Sequence, residues 1–137
     1  MQAPRSTGYS GTPLSKKLGI KEKHRVHLAN APKDYEGLLA PLPPGVVFAK
    51  IPDASVDVAQ IFVTTREDLE AQLRSLRTCL KPEAALWVSW PKKSSKVSTT
   101  ITDNTIRELA LPMGFVDIKV CAVSEVWSGL KLVVRRD

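Results

Sequence analysis

The sequence predicts an α/β protein: a three-layer α/β/α arrangement around a mostly parallel six-stranded sheet, closed by an antiparallel C-terminal hairpin. Three observations predict it. β-Branched, apolar runs alternate with segments of helical periodicity along the 137 residues. The run Ala84-Ala85-Leu86-Trp87-Val88-Ser89-Trp90 is almost continuously apolar, as a strand covered on both faces must be. The last two β-rich runs, Phe115 to Val123 and Trp127 to Arg135, lie so close in sequence that they pair as a hairpin.

Each element has its own local signal. Residues 1–11, rich in Ser, Thr, Gly and Pro, read as a flexible leader ahead of a single domain over 12–137. Thr12 to Gly19 reads as a short helix, with Thr12 as N-cap, Pro13 in the first position and Gly19 at the end. A first strand follows at 25–30. Asp34 to Leu39 allows at most two helical turns before Pro41, Pro43 and Pro44, and Val46 to Ala49 is a short second strand. Val56 to Val63 is the third strand. Thr65 caps the clearest helix, Arg66 to Leu80, whose Leu69, Leu73, Leu76 and Leu80 form one apolar stripe. Its acidic start (Glu67, Asp68) and basic end (Arg74, Arg77, Lys81) both suit the helix dipole. After the fourth strand, a polar loop from Pro91 to Thr100 leads to a last helix, Asp103 to Leu111, closed by Pro112 and Gly114.

Composition narrows the function classes. Hydrophobic residues make up 43% and charged residues 25%, an ordinary globular balance. No run approaches the ~18 apolar residues a membrane helix needs, and the amino terminus lacks a signal-peptide core, so a cytoplasmic protein without membrane contact is expected. Cys79 and Cys121 show no Cys-x-x-Cys spacing and read as buried free thiols. The net charge of +6 is concentrated early. Residues 1–25 hold six of the 20 basic groups but one of the 14 acidic ones. No aromatic residues interleave these lysines as a base-stacking surface requires, so nucleic acid is not the expected partner.

The chemistry-bearing motifs are few. His24 and His27 have no accompanying cluster of Asp, Glu or Cys, so no metal is expected. There is no Gly-x-Ser-x-Gly elbow, no P-loop and no spaced carboxylate pair, so no catalytic residue and no cofactor are assigned. The sharpest feature is negative. The turn after the first strand, Asn30-Ala31-Pro32-Lys33-Asp34-Tyr35, holds no glycine before Gly37, although nucleotide-binding α/β folds use glycines there to bring backbone N–H groups to a phosphate.

The order of elements, with an antiparallel return strand closing a parallel sheet, resembles the Rossmann-like fold of S-adenosylmethionine-dependent methyltransferases. Leu80-Lys81-Pro82-Glu83-Ala84-Ala85-Leu86-Trp87-Val88 is similar to the passage before the fifth strand of those enzymes. The resemblance implies the sheet order 2-1-3-4-6-5. It also implies a glycine-rich turn after strand one and an acidic residue ending strand two, where this chain has Asn30 to Lys33 and Phe48-Ala49-Lys50. Across nearly the whole chain the sequence resembles an uncharacterised bacterial family, a domain of unknown function. Thr12-Pro13-Leu14 with Lys17 to Lys21, Trp87 to Lys92, and Glu125 to Lys131 carry that likeness.

In an open parallel sheet, ligands bind beyond the carboxyl ends of the strands. That rule selects Asn30 to Tyr35, Thr64-Thr65, the loop from Trp90 to Lys96 and the hairpin turn Ser124 to Gly129. The candidate ligand residues are Asn30, Lys33, Tyr35, Trp90, Lys92, Lys93 and Trp127. Lysines with Ser89, Ser94 and Ser95 offer charge and hydrogen bonds to a phosphate or carboxylate. Trp87 is expected in the core, whereas Trp90 and Trp127 either stack on a ligand or plug the space of a lost cofactor. The leading expectation is a non-enzymatic, methyltransferase-like domain that binds an anionic small molecule or a partner protein at this edge. Two alternatives stay open: a diverged enzyme using S-adenosylmethionine or a nucleotide, and nucleic-acid association through the basic N-terminal segment.

Overall fold

A computed structural model of the chain describes residues 12–136; the leader expected over 1–11 lies outside the described residues. The elements, in order, are α1 (Leu14–Lys17), β1 (Arg25–Ala29), α2 (Tyr35–Leu39), β2 (Val47–Phe48), β3 (Val58–Phe62), α3 (Arg66–Cys79), β4 (Ala85–Pro91), α4 (Asp103–Ala110), β5 (Phe115–Ala122) and β6 (Trp127–Val134). The six strands form one sheet in the order β2-β1-β3-β4-β6-β5. β1 is parallel to β2 and β3, and β3 to β4, while β6 runs antiparallel to both β4 and β5. This is the order that the sequence resemblance implied.

Strand alternation divides the core into two layers. On one face Ala59, Ile61, Leu86, Val88, Trp90, Leu130 and Leu132 meet Leu69, Leu73 and Leu76 of α3 and Ile106 and Ala110 of α4. The opposite face presents Val26, Val58, Phe62 and Trp87 to Leu14, Leu18 and Ile20 around α1 and to Tyr35 and Leu39 of α2. Trp87, fully buried, donates its indole N–H to the Leu18 carbonyl at 2.9 Å and so fixes the end of α1 to the sheet. Arg77 does the same for α3: its Nε donates to the Met113 carbonyl at 2.9 Å, and its guanidinium lies over Phe115.

Several local expectations are corrected. Pro13, not Thr12, is the N-cap of α1, with no side-chain cap bond, and the helix begins at Leu14. Proline cannot donate and its extended backbone (ψ 143°) stands outside the helix, so the first helical position passes to the next residue. α4 stops at Ala110, and Leu111–Met113 tightens into a 3-10 turn around Pro112. The loop after β4 contains a second such turn, Lys93–Ser95, and β4 itself runs one residue further, to Pro91. Cys79 and Cys121 are free but half-buried rather than buried. His24 precedes β1, its Nδ1 accepting the Lys21 N–H, while the buried His27 bonds the Ala49 carbonyl through Nδ1 at 2.9 Å. Among the described residues no helix is long and apolar enough to cross a membrane, and no group of His, Cys, Asp and Glu is placed to hold a metal ion.

Candidate functional site

The carboxyl ends of β1, β3 and β4 share one edge of the sheet, and the hairpin turn joins them. Pro91 pairs with Trp127, and the Lys92 N–H donates to the Val126 carbonyl at 2.7 Å. Ser124 shapes that turn: its hydroxyl accepts the N–H groups of Val126 and Trp127, each at 3.1 Å. The turn after β1 enters this edge through two left-handed residues, Asn30 (φ 61°) and Asp34 (φ 68°). Asn and Asp tolerate that conformation better than other side chains do, so the chain turns here without glycine.

Between these loops stands an aromatic cluster. The Phe62 ring meets Tyr35 edge-on at 4.8 Å and Trp127 edge-on at 5.0 Å. Tyr35 is buried, and its hydroxyl donates inward to Gln60 Oε1 at 2.7 Å. Gln60 Nε2 in turn donates to Ser89 Oγ at 2.9 Å, so three buried polar side chains satisfy one another across α2, β3 and β4. Burial drives the Tyr35 phenol well above its ordinary range, so it is neutral at any physiological pH. The signal for this chain was in the sequence: a glutamine inside the apolar run of β3 has to find buried partners.

The candidate residues therefore separate. Trp90 and Trp127 lie on opposite faces of the sheet, Trp90 with the α3–α4 layer and Trp127 with the α1–α2 layer. Adjacent strand positions face opposite ways, and Trp90 pairs with Ser128 while Trp127 pairs with Pro91, so the two indoles do not line one surface. Tyr35 and Trp90 point into the interior. Asn30, Lys33 and Lys93 are exposed and Lys92 half-exposed, and among the described residues none of the three lysines has an ion-pair partner. The hydroxyl groups expected beside them are mostly engaged. Ser89 belongs to the buried chain, and Ser95 donates to the Lys92 carbonyl at 2.7 Å. Thr99 Oγ1 donates to the Thr64 carbonyl at 2.7 Å, while Thr100 Oγ1 accepts the Arg66 N–H at 2.9 Å. These last two bonds clip the loop after β4 onto the start of α3.

No protein-family model and no curated protein matches the chain. Solved structures do. A SAM-dependent methyltransferase from Aquifex aeolicus superposes with TM-score 0.61 at 14% identity, covering 88% of this chain and 87% of that one. TrmN from Thermus thermophilus gives 0.58 at 12%, covering 90% of this chain and 47% of its own. A chain of the Haloferax volcanii complex containing the Trm112 methyltransferase activator gives 0.62 at 10%, covering 90% and 88%. At such identities the likeness is one of fold: the architecture is methyltransferase-like and Rossmann-like.

At the two places where this resemblance implies a glycine-rich turn and an acid, the chain carries other residues. Asn30, Ala31, Pro32 and Lys33 all carry side chains, and Pro32 has no N–H to offer. β2 is followed by buried Ala49, whose carbonyl is taken by His27, and then by Lys50 in place of an acid. The Tyr35, Phe62 and Trp127 rings pack edge to face in the α1–α2 layer.

Proposed function

We propose that this chain is a methyltransferase-like binding domain that recognises an anionic small molecule at the carboxyl edge of its sheet and transfers no methyl group. Lys92 and Lys93 supply the charge from one side and Lys33 from the other, with Asn30 on the rim. The observation that carries this reading is the aromatic cluster. Phe62 touches both Tyr35 and Trp127, which packs the interior of the edge, and among the described residues its lysines have no carboxylate partner. An edge that is filled within and cationic without suits a charged ligand held at the surface, through contacts of the kind lysine makes to phosphate. The reading includes membership of the bacterial family that shares the Thr12–Lys21, Trp87–Lys92 and Glu125–Lys131 passages.

A second reading rests on the backbone. The left-handed conformations of Asn30 and Asp34 give the first turn a shape that glycine usually provides, and the neighbours in fold include a SAM-dependent enzyme. That reading makes the chain a diverged enzyme using S-adenosylmethionine or a nucleotide.

One experiment separates them. Thermal-shift screening with phosphorylated metabolites is expected to raise Tm by several degrees for at least one compound present far above its Kd. The rise is expected to vanish in K92A/K93A. Calorimetry with S-adenosylmethionine and S-adenosylhomocysteine is expected to show no binding. Micromolar binding of either would favour the second reading. A shift that persists in K92A/K93A would remove the site assignment.

A further inference from the structure

β5 ends the sheet, and its outer side has no strand partner among the described residues. An open edge of eight residues is a template for another chain, so the side chains along it decide what it accepts. The pairing with β6 divides this edge in two. Asp117 pairs with Leu132 and Lys119 with the adjacent Lys131, so Ile118 is the extra residue of a bulge. Beyond the bulge, residues 119–122 run in regular register with β6 and form the stretch that can take a further strand.

The two faces of that stretch differ. Lys119 stands opposite Lys131, on the face of Trp87, with which Lys131 also pairs. Like charges directly opposed destabilise an antiparallel pair, and among the described residues neither lysine has a carboxylate partner. Val120 stands opposite Leu130 and so belongs to the α3–α4 face. Asp117, opposite Leu132, shares that face and is held there by Arg107 Nε at 2.9 Å. Ile118 and Val120 are 52% and 51% exposed. The edge thus presents a lysine pair without an acid, flanked along the strand by two uncovered apolar side chains.

We propose that β5 is a docking strand for a partner protein, which adds to this edge an extended segment with an acidic residue between two apolar ones. Charge complementarity and strand alternation carry the choice of partner. Successive side chains of an added strand point to opposite faces. A carboxylate opposite Lys119 meets the lysine pair, and the next side chain falls on the other face against Val120. An apolar residue suits that position, because Asp117 already supplies an acid there. Main-chain hydrogen bonds along the edge give such a complex its affinity, and the alternation gives it specificity. A phosphate chain has nothing to place against Ile118 and Val120. A second copy of this chain brings two more lysines to the two already opposed. The proposal stands on residues outside the anion site at the carboxyl edge and is independent of that reading.

The test is fluorescence anisotropy of a labelled peptide of alternating Val and Glu, about ten residues long so that it spans β5, titrated with the full chain. Wild type is expected to bind it. K119E is expected to weaken binding by about fivefold or more, the effect of reversing one cross-strand charge pair. The same variant is expected to bind a peptide of alternating Val and Lys better than wild type does. K119E turns an opposed like-charge pair into an opposite one, so loss of the fold does not account for a weaker complex. V120E is expected to weaken the Val and Glu peptide as well, and K92A/K93A to leave it unchanged. No binding by wild type, equal binding by K119E, or an equal loss in K92A/K93A would overturn the proposal. So would equal binding of a peptide with the same composition arranged as one Val block and one Glu block, since charge alone would then suffice. Tighter binding of a polyuridylate strand would make nucleic acid the partner, and a wild-type dimer that V120E disperses would make a second copy the occupant; either result overturns the assignment.

Discussion

Gly129 sits where two contacts meet. A Cβ added there would lie 2.9 Å from Cγ2 of Val123 and 3.3 Å from Cε3 of Trp87. Trp87 has little freedom to retreat, because its indole N–H is bonded to Leu18 on the same side of the sheet. G129A is therefore expected to cost about 1–3 kcal/mol, the usual range for forcing a methyl group into a packed core. The check is a urea midpoint that falls with an unchanged m-value; a midpoint equal to wild type would show that the Val123 turn yields freely. The need for glycine at 129 was not legible in the sequence, since it arises from residues 6 and 42 positions away that meet only after the strands pair. Tyr35 shows the reverse situation. Its place near the first turn was legible, but its direction was not, because Gln60 draws the hydroxyl inward and burial in the aromatic cluster follows from that bond. Asn30 lies between these cases: the missing glycine was visible, and so was a residue type able to take φ 61° in its place.

Elements with strong local patterns were read well from the sequence, and those built by tertiary contact were not. α3 has an apolar stripe, a dipole-matched charge order and a side-chain cap, all within one continuous segment. Thr65 accepts the Asp68 N–H at 3.1 Å, so T65A is expected to destabilise the protein by about 1 kcal/mol and T65S to restore most of it. Equal urea midpoints for T65A and wild type would mean that the bond from Arg66 N–H to Thr100 alone secures this helix start. The four residues of α1, by contrast, cannot be helical on their own account. They are held by buried Leu14 and Leu18, by the bond from Ser15 Oγ to the Pro41 carbonyl, and by Lys17 reaching Ala122. Pro41 and Ala122 are distant in sequence, so what holds this helix is not legible in its own four residues. β4 was legible for the same reason as α3, since a strand covered on both sides announces itself as an unbroken apolar run.

Across the whole sheet the two edges do different work, and the amino edge is where acid should act. Asp57, just before β3, ties three strands together. Its Oδ2 accepts the Arg25 N–H at 2.8 Å and its Oδ1 accepts Lys81 Nζ at 2.6 Å, while its own backbone N–H and carbonyl bond Arg25 and Ala85. Burial pushes the Asp57 carboxyl up, but the bonds from Lys81 and Arg25, with the charges of Lys81 and His24, more than offset it and hold the group below its usual 3.8. A carboxyl depressed on folding stabilises the native state fully above its unfolded value, and that stabilisation is lost as pH falls through the lower folded value. Asp117, held down by Arg107, and Asp53, held down by Ser55, act with the same sign, so Asp57 is one contributor among several. Stability is therefore expected to drop as pH falls below about 4, and D57N, which has no proton to take up there, is expected to show a smaller difference between pH 7 and pH 3 than wild type. Urea unfolding of both proteins at the two pH values measures this directly. D57N should also be the less stable of the two at pH 7, because Lys81 then loses its carboxylate. Equal pH differences in the two proteins would mean that the tie between the amino ends of β1, β3 and β4 is carried by the backbone bonds of residue 57 and owes nothing to its charge.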